Sequence, residues 1–218
     1  MLGQLAALVL VVATQNVRVG MPPYQARHDI RQAAALSSVV LTQEMGYRRA
    51  VEFRPAGWRS AHFAGTWPGD CATYWQRSTW RELRSWVRPV SFASFPYGHR
   101  WLLATVLRHR RSGQRVAFVC VHLITHGLRR PQVEARSIAR VRRQVRQLRA
   151  TMPVVVGGDW NRPYGQRARF HGCHSLRPGR AGRVDYVWGC GMRAVRTVVL
   201  APTYSDHDGV RARFRVAP

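Results

Sequence analysis

Groups able to bind a phosphate, hold a hard cation or move a proton recur where short apolar runs end. Asn16 follows Leu8 to Thr14, and Glu44 follows Val39 to Thr42. His122 lies in the run Val116 to Leu123, Asp159 and Asn161 follow Val154 to Val156, Asp185 sits in Val184 to Trp188, and Asp206 and His207 precede Val210 to Val216. Such groups suit phosphodiester hydrolysis, which must neutralise a dianionic transition state, present an in-line water and help an alkoxide leave. A hard divalent cation such as Mg²⁺ takes oxygen ligands and keeps several waters, so one or two carboxylates suffice, and Glu44 is the first candidate. An unperturbed His207 would titrate near neutrality, and a carboxylate behind its ring would fix the tautomer and favour the imidazolium. Asp159 and Asn161 are two apart, so on a continuing strand their side chains point the same way. Singly these are weak signals, since a Gln-Glu pair after a strand ordinarily decorates a surface and a lone strand His is ordinarily a satisfied core residue.

The elements that must position them follow from periodicity. The runs already named, with Ala72 to Trp75, Trp101 to Leu107 and Ala194 to Leu200, are too short for helices and read as strands. Ser112-Gly113 marks a hairpin, and Gly157-Gly158 reads as the close of a strand. Two stretches read as helices. One is Tyr24 to Leu36; the other is Pro131 to Ala150, with Val133, Ile138, Val141, Val145 and Leu148 at helical spacing and Pro131 suited to the first turn. The order predicts a mixed α/β fold of two packed sheets with helices outside, as one domain over residues 1–218.

In order along the chain, the motifs resemble those of the endonuclease/exonuclease/phosphatase superfamily, the group of pancreatic deoxyribonuclease, abasic-site endonucleases, neutral sphingomyelinases and inositol-polyphosphate phosphatases. Gly158-Asp159-Trp160-Asn161 is similar to that family's Gly-Asp-Phe-Asn, Ser205-Asp206-His207 to its Ser-Asp-His, Arg183-Val184-Asp185-Tyr186 to its Arg-Ile-Asp-Tyr, and Val121-His122-Leu123 to its Thr-His-Leu. The resemblance spans Asn16 to His207 and implies a four-layer α/β/β/α sandwich of two mixed sheets. It implies metal-site roles for Asn16, Glu44 and Asp206, with Mg²⁺ as the ion and Mn²⁺ as an alternative. It makes Asp159 the group that orients or deprotonates water, Asn161 a donor to the phosphate, and Asp185 the carboxylate behind His207. His122 is a candidate acid for the leaving oxygen; abasic-site endonucleases carry a Tyr near this position, which disfavours that role here. Gln15 and Val121 depart from the pattern at positions that supply no catalytic group. Only positions 162–184 separate Asn161 from Asp185, so recognition loops look trimmed and an enzyme of little sequence preference is expected.

Composition points to the substrate. The chain has 35 cations, all arginine, against 10 carboxylates, a net charge of +25 that a neutral small-molecule substrate would not require. GC-rich coding explains arginine over lysine, but not the excess of bases over acids. Arg136, Arg140 and Arg143, on the polar face of the second helix, are candidate nucleic-acid contacts, against the alternative of a solvated face. Six of eight Trp fall between Trp58 and Trp101, interleaved with arginine; they read as strand residues or as a base-stacking surface.

The expected partner is nucleic acid, DNA before RNA, with no stable membrane association and a monomeric protein. The competing readings are a phosphatase or sphingomyelinase-type phosphoesterase of the same superfamily and a non-catalytic nucleic-acid-binding protein. The apolar stretch Leu5 to Ala13 is too short to span a bilayer and reads as a first strand in preference to a signal core. Cys71, Cys120, Cys173 and Cys190 show no paired spacing. A zinc site built on His171, Cys173, His174 and Cys190 is disfavoured against loop residues, Cys120 within its strand reads as a free buried thiol, and a reducing, cytoplasmic setting is expected.

Overall fold

Residues 7–46, 50–63, 70–92, 99–124, 131–162, 169–175, 184–200 and 203–217 are described in a computed structural model. In chain order the elements begin with β1 (Leu8–Asn16), α1 (Pro23–Ala35), β2 (Val39–Gln43), α2 (Ala50–Phe53), β3 (Trp58–His62) and β4 (Ala72–Gln76). There follow β5 (Trp80–Phe92), β6 (His99–His109), β7 (Arg115–His122), α3 (Pro131–Arg149) and β8 (Val154–Asp159). The last are β9 (Cys173–His174), β10 (Asp185–Cys190), β11 (Arg193–Leu200) and β12 (Gly209–Val216).

Two six-stranded mixed sheets result, ordered β11-β12-β1-β2-β4-β3 and β5-β6-β7-β8-β10-β9. The runs at the centre, β7, β8 and β1 from Val12 onward, are apolar almost throughout because both faces are covered, while the start of β1 leaves Val9 exposed. Leu10, Val12, Leu41, Trp75, Leu103, Phe118, Val155, Val187 and Phe214 fill the space between the sheets. Ala26, Ile30 and Ala33 of α1, with Phe53 of α2, cover the outer face of the first sheet, while Ile138, Val141, Val145 and Leu148 of α3 cover that of the second. The expected four layers are present, with α1 and α2 on one side and α3 on the other.

The helices match the expected stretches to within a residue at either end. The segment from Leu8 is an interior strand, paired antiparallel to β12 and parallel to β2. Other expectations are corrected. β3, β9 and α2 were not legible as elements, and the Trp/Arg segment from Trp80 is one long edge strand with bulges at Glu82/Arg84 and Pro89/Ser91; an edge tolerates the proline because its missing N–H faces no partner. Trp58, Trp75 and Trp80 are buried, so of that aromatic group these three are core and not a stacking surface.

Gly157-Gly158 does not close β8, which runs on to Asp159. Gly158 has φ +145°, and a Cβ there would stand 1.9 Å from the carbonyl oxygen of Val121. Only glycine lets β8 approach β7 this closely, and the approach sets His122 opposite Asp159 in the ladder.

Cys173 and Cys190 are cross-strand partners joined by a disulfide, which overturns their reading as loop residues and removes both as zinc ligands. Disulfides persist in oxidising surroundings, so the cysteine pattern no longer argues for a reducing compartment. Cys71 and Cys120 are free and buried. No helix among the described residues is long and apolar enough to cross a membrane.

Candidate active site

Parallel pairing of β1 with β2 and of β7 with β8 brings four C-terminal strand ends to one end of the sandwich. The antiparallel strands β10 and β12 start there, so their first residues join the group. Such ends are where side chains leave the ladder, and ligands of open α/β sheets bind beyond them.

Asp159 is the meeting point. Its Oδ2 accepts a hydrogen bond from Asn16 Nδ2 at 3.1 Å and lies 3.5 Å from His122 Nε2 and 3.9 Å from His207 Nε2. Its Oδ1 accepts the Asn161 N–H at 2.7 Å. Asn16 Nδ2 also donates to Glu44 Oε1 at 2.9 Å, and Glu44 Oε2 accepts the Val19 N–H at 2.7 Å. Glu44 holds φ 60°, a left-handed conformation in which a side chain carries strain, so the surrounding bonds fix it where the carboxylate meets the cleft.

Two imidazoles flank this centre, each with a carboxylate behind it. His207 Nδ1 donates to Asp185 Oδ2 at 2.5 Å, as expected. Burial opposes charge on His207, but the Asp185 hydrogen bond and the charges of Asp185, Asp159 and Asp206 outweigh it and raise its pKa to about 9. Burial and the neighbouring Asp159 charge push Asp185 up to about 6. His122 Nδ1 donates to Asp70 Oδ2 at 2.7 Å. Burial again opposes the imidazolium, and Asp70 overrides it with help from Asp159. Burial also works against the Asp70 charge, yet His122 and Arg100 hold that carboxyl below its usual range; Arg100 Nη1 lies 3.4 Å from Asp70 Oδ2. Asp70 was missed because it precedes a strand instead of following one; its only sequence signal was the scarcity of acids.

The segment bearing His207 is tied down from below. The carboxylate of Asp29, buried in α1, accepts the backbone N–H groups of Tyr204 at 3.0 and 3.1 Å and of Ser205 at 3.0 Å. Ser205 Oγ then accepts the His207 N–H at 3.2 Å, and Thr203 Oγ1 and Gln15 Nε2 donate to the His207 carbonyl at 2.9 and 3.3 Å. Asp29 is a second residue that the sequence hid, in the middle of a helix where an acid ordinarily faces solvent.

Asn16, Glu44, His122, Asp159, Asp185 and His207 therefore converge. Asn161 stands beside them, but the strand geometry assumed for it does not persist: it lies beyond β8 at φ 49°, and its Nδ2 donates to the Leu123 carbonyl at 2.8 Å. Asp206 is exposed, and the hydrogen bond to its carboxylate comes from Ser205 Oγ at 3.4 Å. It belongs to neither of the two groups of potential ligands among the described residues, Glu44-His122-Asp159 and Asp159-Asp185-His207. Arg136 and Arg143 are exposed on α3, and Arg140 Nη1 donates to the Val90 carbonyl at 3.1 Å.

The residues fit a divalent cation at the first group. Glu44 and Asp159 offer carboxylate oxygens within 4.8 Å of the His122 ring nitrogen, and His122 Nε2 is buried without a hydrogen-bond partner. Two carboxylates suit a hard ion such as Mg²⁺ or Mn²⁺, and His122, charged with both ring nitrogens as donors, stands beside the ion and does not ligate it.

A model of the Endonuclease/Exonuclease/phosphatase family matches residues 13–207. Solved structures agree on the fold. An endonuclease/exonuclease/phosphatase from Bacteroides vulgatus superposes with a TM-score of 0.80 at 13% identity, covering 96% of this chain and 100% of that one. A mannosyl-6-phosphatase from Bacteroides thetaiotaomicron gives 0.75 at 15% identity over 94% and 99% of the two chains. A humanized D. rerio TDP2 gives 0.73 at 16% identity over 94% and 98%. A search of curated proteins finds no matching sequence.

Proposed function

The chain belongs to the endonuclease/exonuclease/phosphatase family, whose members hydrolyse phosphoester bonds, and we propose that this phosphoesterase is a divalent-metal-dependent nuclease that cuts DNA with little sequence preference. The observation that carries the substrate is the charge: a small cleft of Glu44, Asp70, Asp159 and Asp185 lies in a chain of net charge +25. The fold does not choose, since it also serves a mannosyl-6-phosphatase. A small phosphate ester needs a few cations at the cleft, whereas a polyanion meets many across a surface. Phosphate contacts supply affinity without reading sequence.

Glu44 and Asp159 would hold the cation, which when bound supplies Lewis-acid polarisation of a phosphoryl oxygen and charge neutralisation. Asp159, with one oxygen fixed by the Asn161 N–H, orients the attacking water and receives its proton. His207, kept as imidazolium by Asp185, stands 3.9 Å away and stabilises the charge that builds on the phosphorus oxygens. His122, kept charged by Asp70, presents Nε2–H to the leaving oxygen. Asn16 holds Glu44 and Asp159 in register.

A panel of plasmid, single-stranded DNA, RNA and inositol phosphates, each with Mg²⁺ or EDTA, tests the reading. Metal-dependent scission of DNA across many sites supports it. Release of phosphate from the small esters with every nucleic acid left intact overturns it.

A further inference from the structure

Strand β12 alternates strictly. Val210, Ala212, Phe214 and Val216 point into the core, and Arg211, Arg213 and Arg215 therefore point out of the opposite face. The neighbouring strand places Arg193 directly opposite Arg215 and Arg196 directly opposite Arg213. Like charges set opposite one another in an antiparallel pair work against the sheet. Yet among the described residues none of these five side chains has an ion pair or a side-chain hydrogen bond. The arginines of α3 differ: Arg140, Arg142 and Arg149 are engaged by the carbonyls of Val90, Arg169 and His171. Helix α1 packs over β1 and β2, and Arg193, Arg196, Arg213 and Arg215 are exposed to its side.

We propose that this two-strand arginine row is a second binding site for the nucleic-acid backbone, separate from the catalytic cleft. The proposal rests on the nuclease reading and deepens it by extending the footprint of a polymeric substrate. The row starts at the catalytic end, with Arg211 four residues after His207, and runs roughly 13 Å along β12 to Arg215. There it meets an open cavity of about 870 Å³ that Arg149, Arg193 and Arg215 also line. Guanidinium groups grip phosphate oxygens in pairs, and a linear double row suits a linear polyanion. A membrane surface is the poorer occupant: among the described residues of β1, β11 and β12 the exposed large apolar side chains are Val9 and Val195, neither of them aromatic.

The test compares wild type with Arg196→Gln/Arg213→Gln/Arg215→Gln and with a control carrying the same charge loss on the other sheet, Arg84→Gln/Arg88→Gln/Arg111→Gln, none of which faces another arginine across a strand. Binding of a 30-base-pair duplex is measured in EDTA over a salt series, and turnover of a small chromogenic phosphodiester in Mg²⁺. The row variant is expected to lose about tenfold or more in affinity and to flatten the slope of log affinity on log salt by about 2–3, roughly one per lost contact. Its small-ester turnover stays at the wild-type level, and the control binds nearly as wild type. Equal losses in the two variants, no loss in the row variant, or, in a parallel sedimentation assay with phosphatidylserine vesicles, a loss confined to the vesicles overturns the proposal. Because binding is read without metal, failure of wild type to cut DNA would strike the nuclease reading and leave the result for the row separate.

Discussion

Asp70 Oδ2 lies 2.7 Å from Nδ1 of His122, giving that ring the same carboxylate support that Asp185 gives His207. The site thus has two backed imidazoles facing one aspartate, Asp159, from either side. Asp70 acts through His122, so it is a positioning residue. Asp70→Asn should lower kcat by about 10–100-fold with little change in KM, as lost orienting partners commonly do. It should also lower the pH above which activity falls, because the neutral amide no longer holds the His122 proton. Wild-type kcat and an unmoved pH profile would show that the pair is structural only.

Asp29 offers a second check on positioning. Its buried carboxylate accepts the Tyr204 and Ser205 N–H groups, and removing it strands those donors. Asp29→Ala should cost about 2–3 kcal/mol of stability and lower kcat by loosening His207. Hydrogen exchange of the Tyr204 and Ser205 amides reads this directly, and unchanged protection would refute the assignment.

Stability in EDTA should fall with rising pH. The folded pKa values of Asp185 and His207 are both raised, from 3.8 to about 6 and from 6.5 to about 9, so the folded state keeps protons that the unfolded chain releases. For His207 the contribution is complete below pH 6.5 and is lost as pH climbs through about 9. After allowance for the solvent that reaches this half-buried ring, it amounts to about 2 kcal/mol. Urea unfolding of wild type against His207→Gln over this range should show the difference shrinking with pH; parallel curves would contradict it.

The disulfide between Cys173 and Cys190 closes a segment of sequence separation 17 and pins the short edge strand β9 to β10. Reduction, or Cys173→Ser with Cys190→Ser, should cost about 3 kcal/mol on the chain-entropy estimate. Calorimetry with and without reductant checks this. Since the bridge lies at the far end of β10 from Asp185, the kcat of the folded fraction should hold.

Legibility of the site followed from where polar residues stand relative to apolar runs. His122, Asp159, Asp185 and Asp206-His207 were visible because each terminates or begins a strand whose periodicity is plain, and α3 because its apolar residues keep helical spacing. Asp70 and Asp29 were hidden, one in a stretch without periodicity and one on a helix, because their roles depend on tertiary neighbours. The disulfide was hidden for the same reason: β9 has two residues, too few for a pattern, and the register that sets Cys173 against Cys190 exists only in the folded sheet. The shared direction of Asp159 and Asn161 was conditional on a continuing strand, and nothing local announces the left-handed turn that ends it.

The most direct test is plasmid nicking by wild type and by Asp159→Asn, each in Mg²⁺ and in EDTA. Asp159 touches both imidazoles, Asn16 and the cation site, so its carboxylate is needed whatever the division of labour around it. Wild type should nick plasmid only with the metal present, and Asp159→Asn should lose at least a thousandfold in rate while still retaining DNA on a filter. Nicking by the variant at the wild-type rate, or by wild type in EDTA, would contradict the assignment of this cleft as a metal-dependent nuclease site.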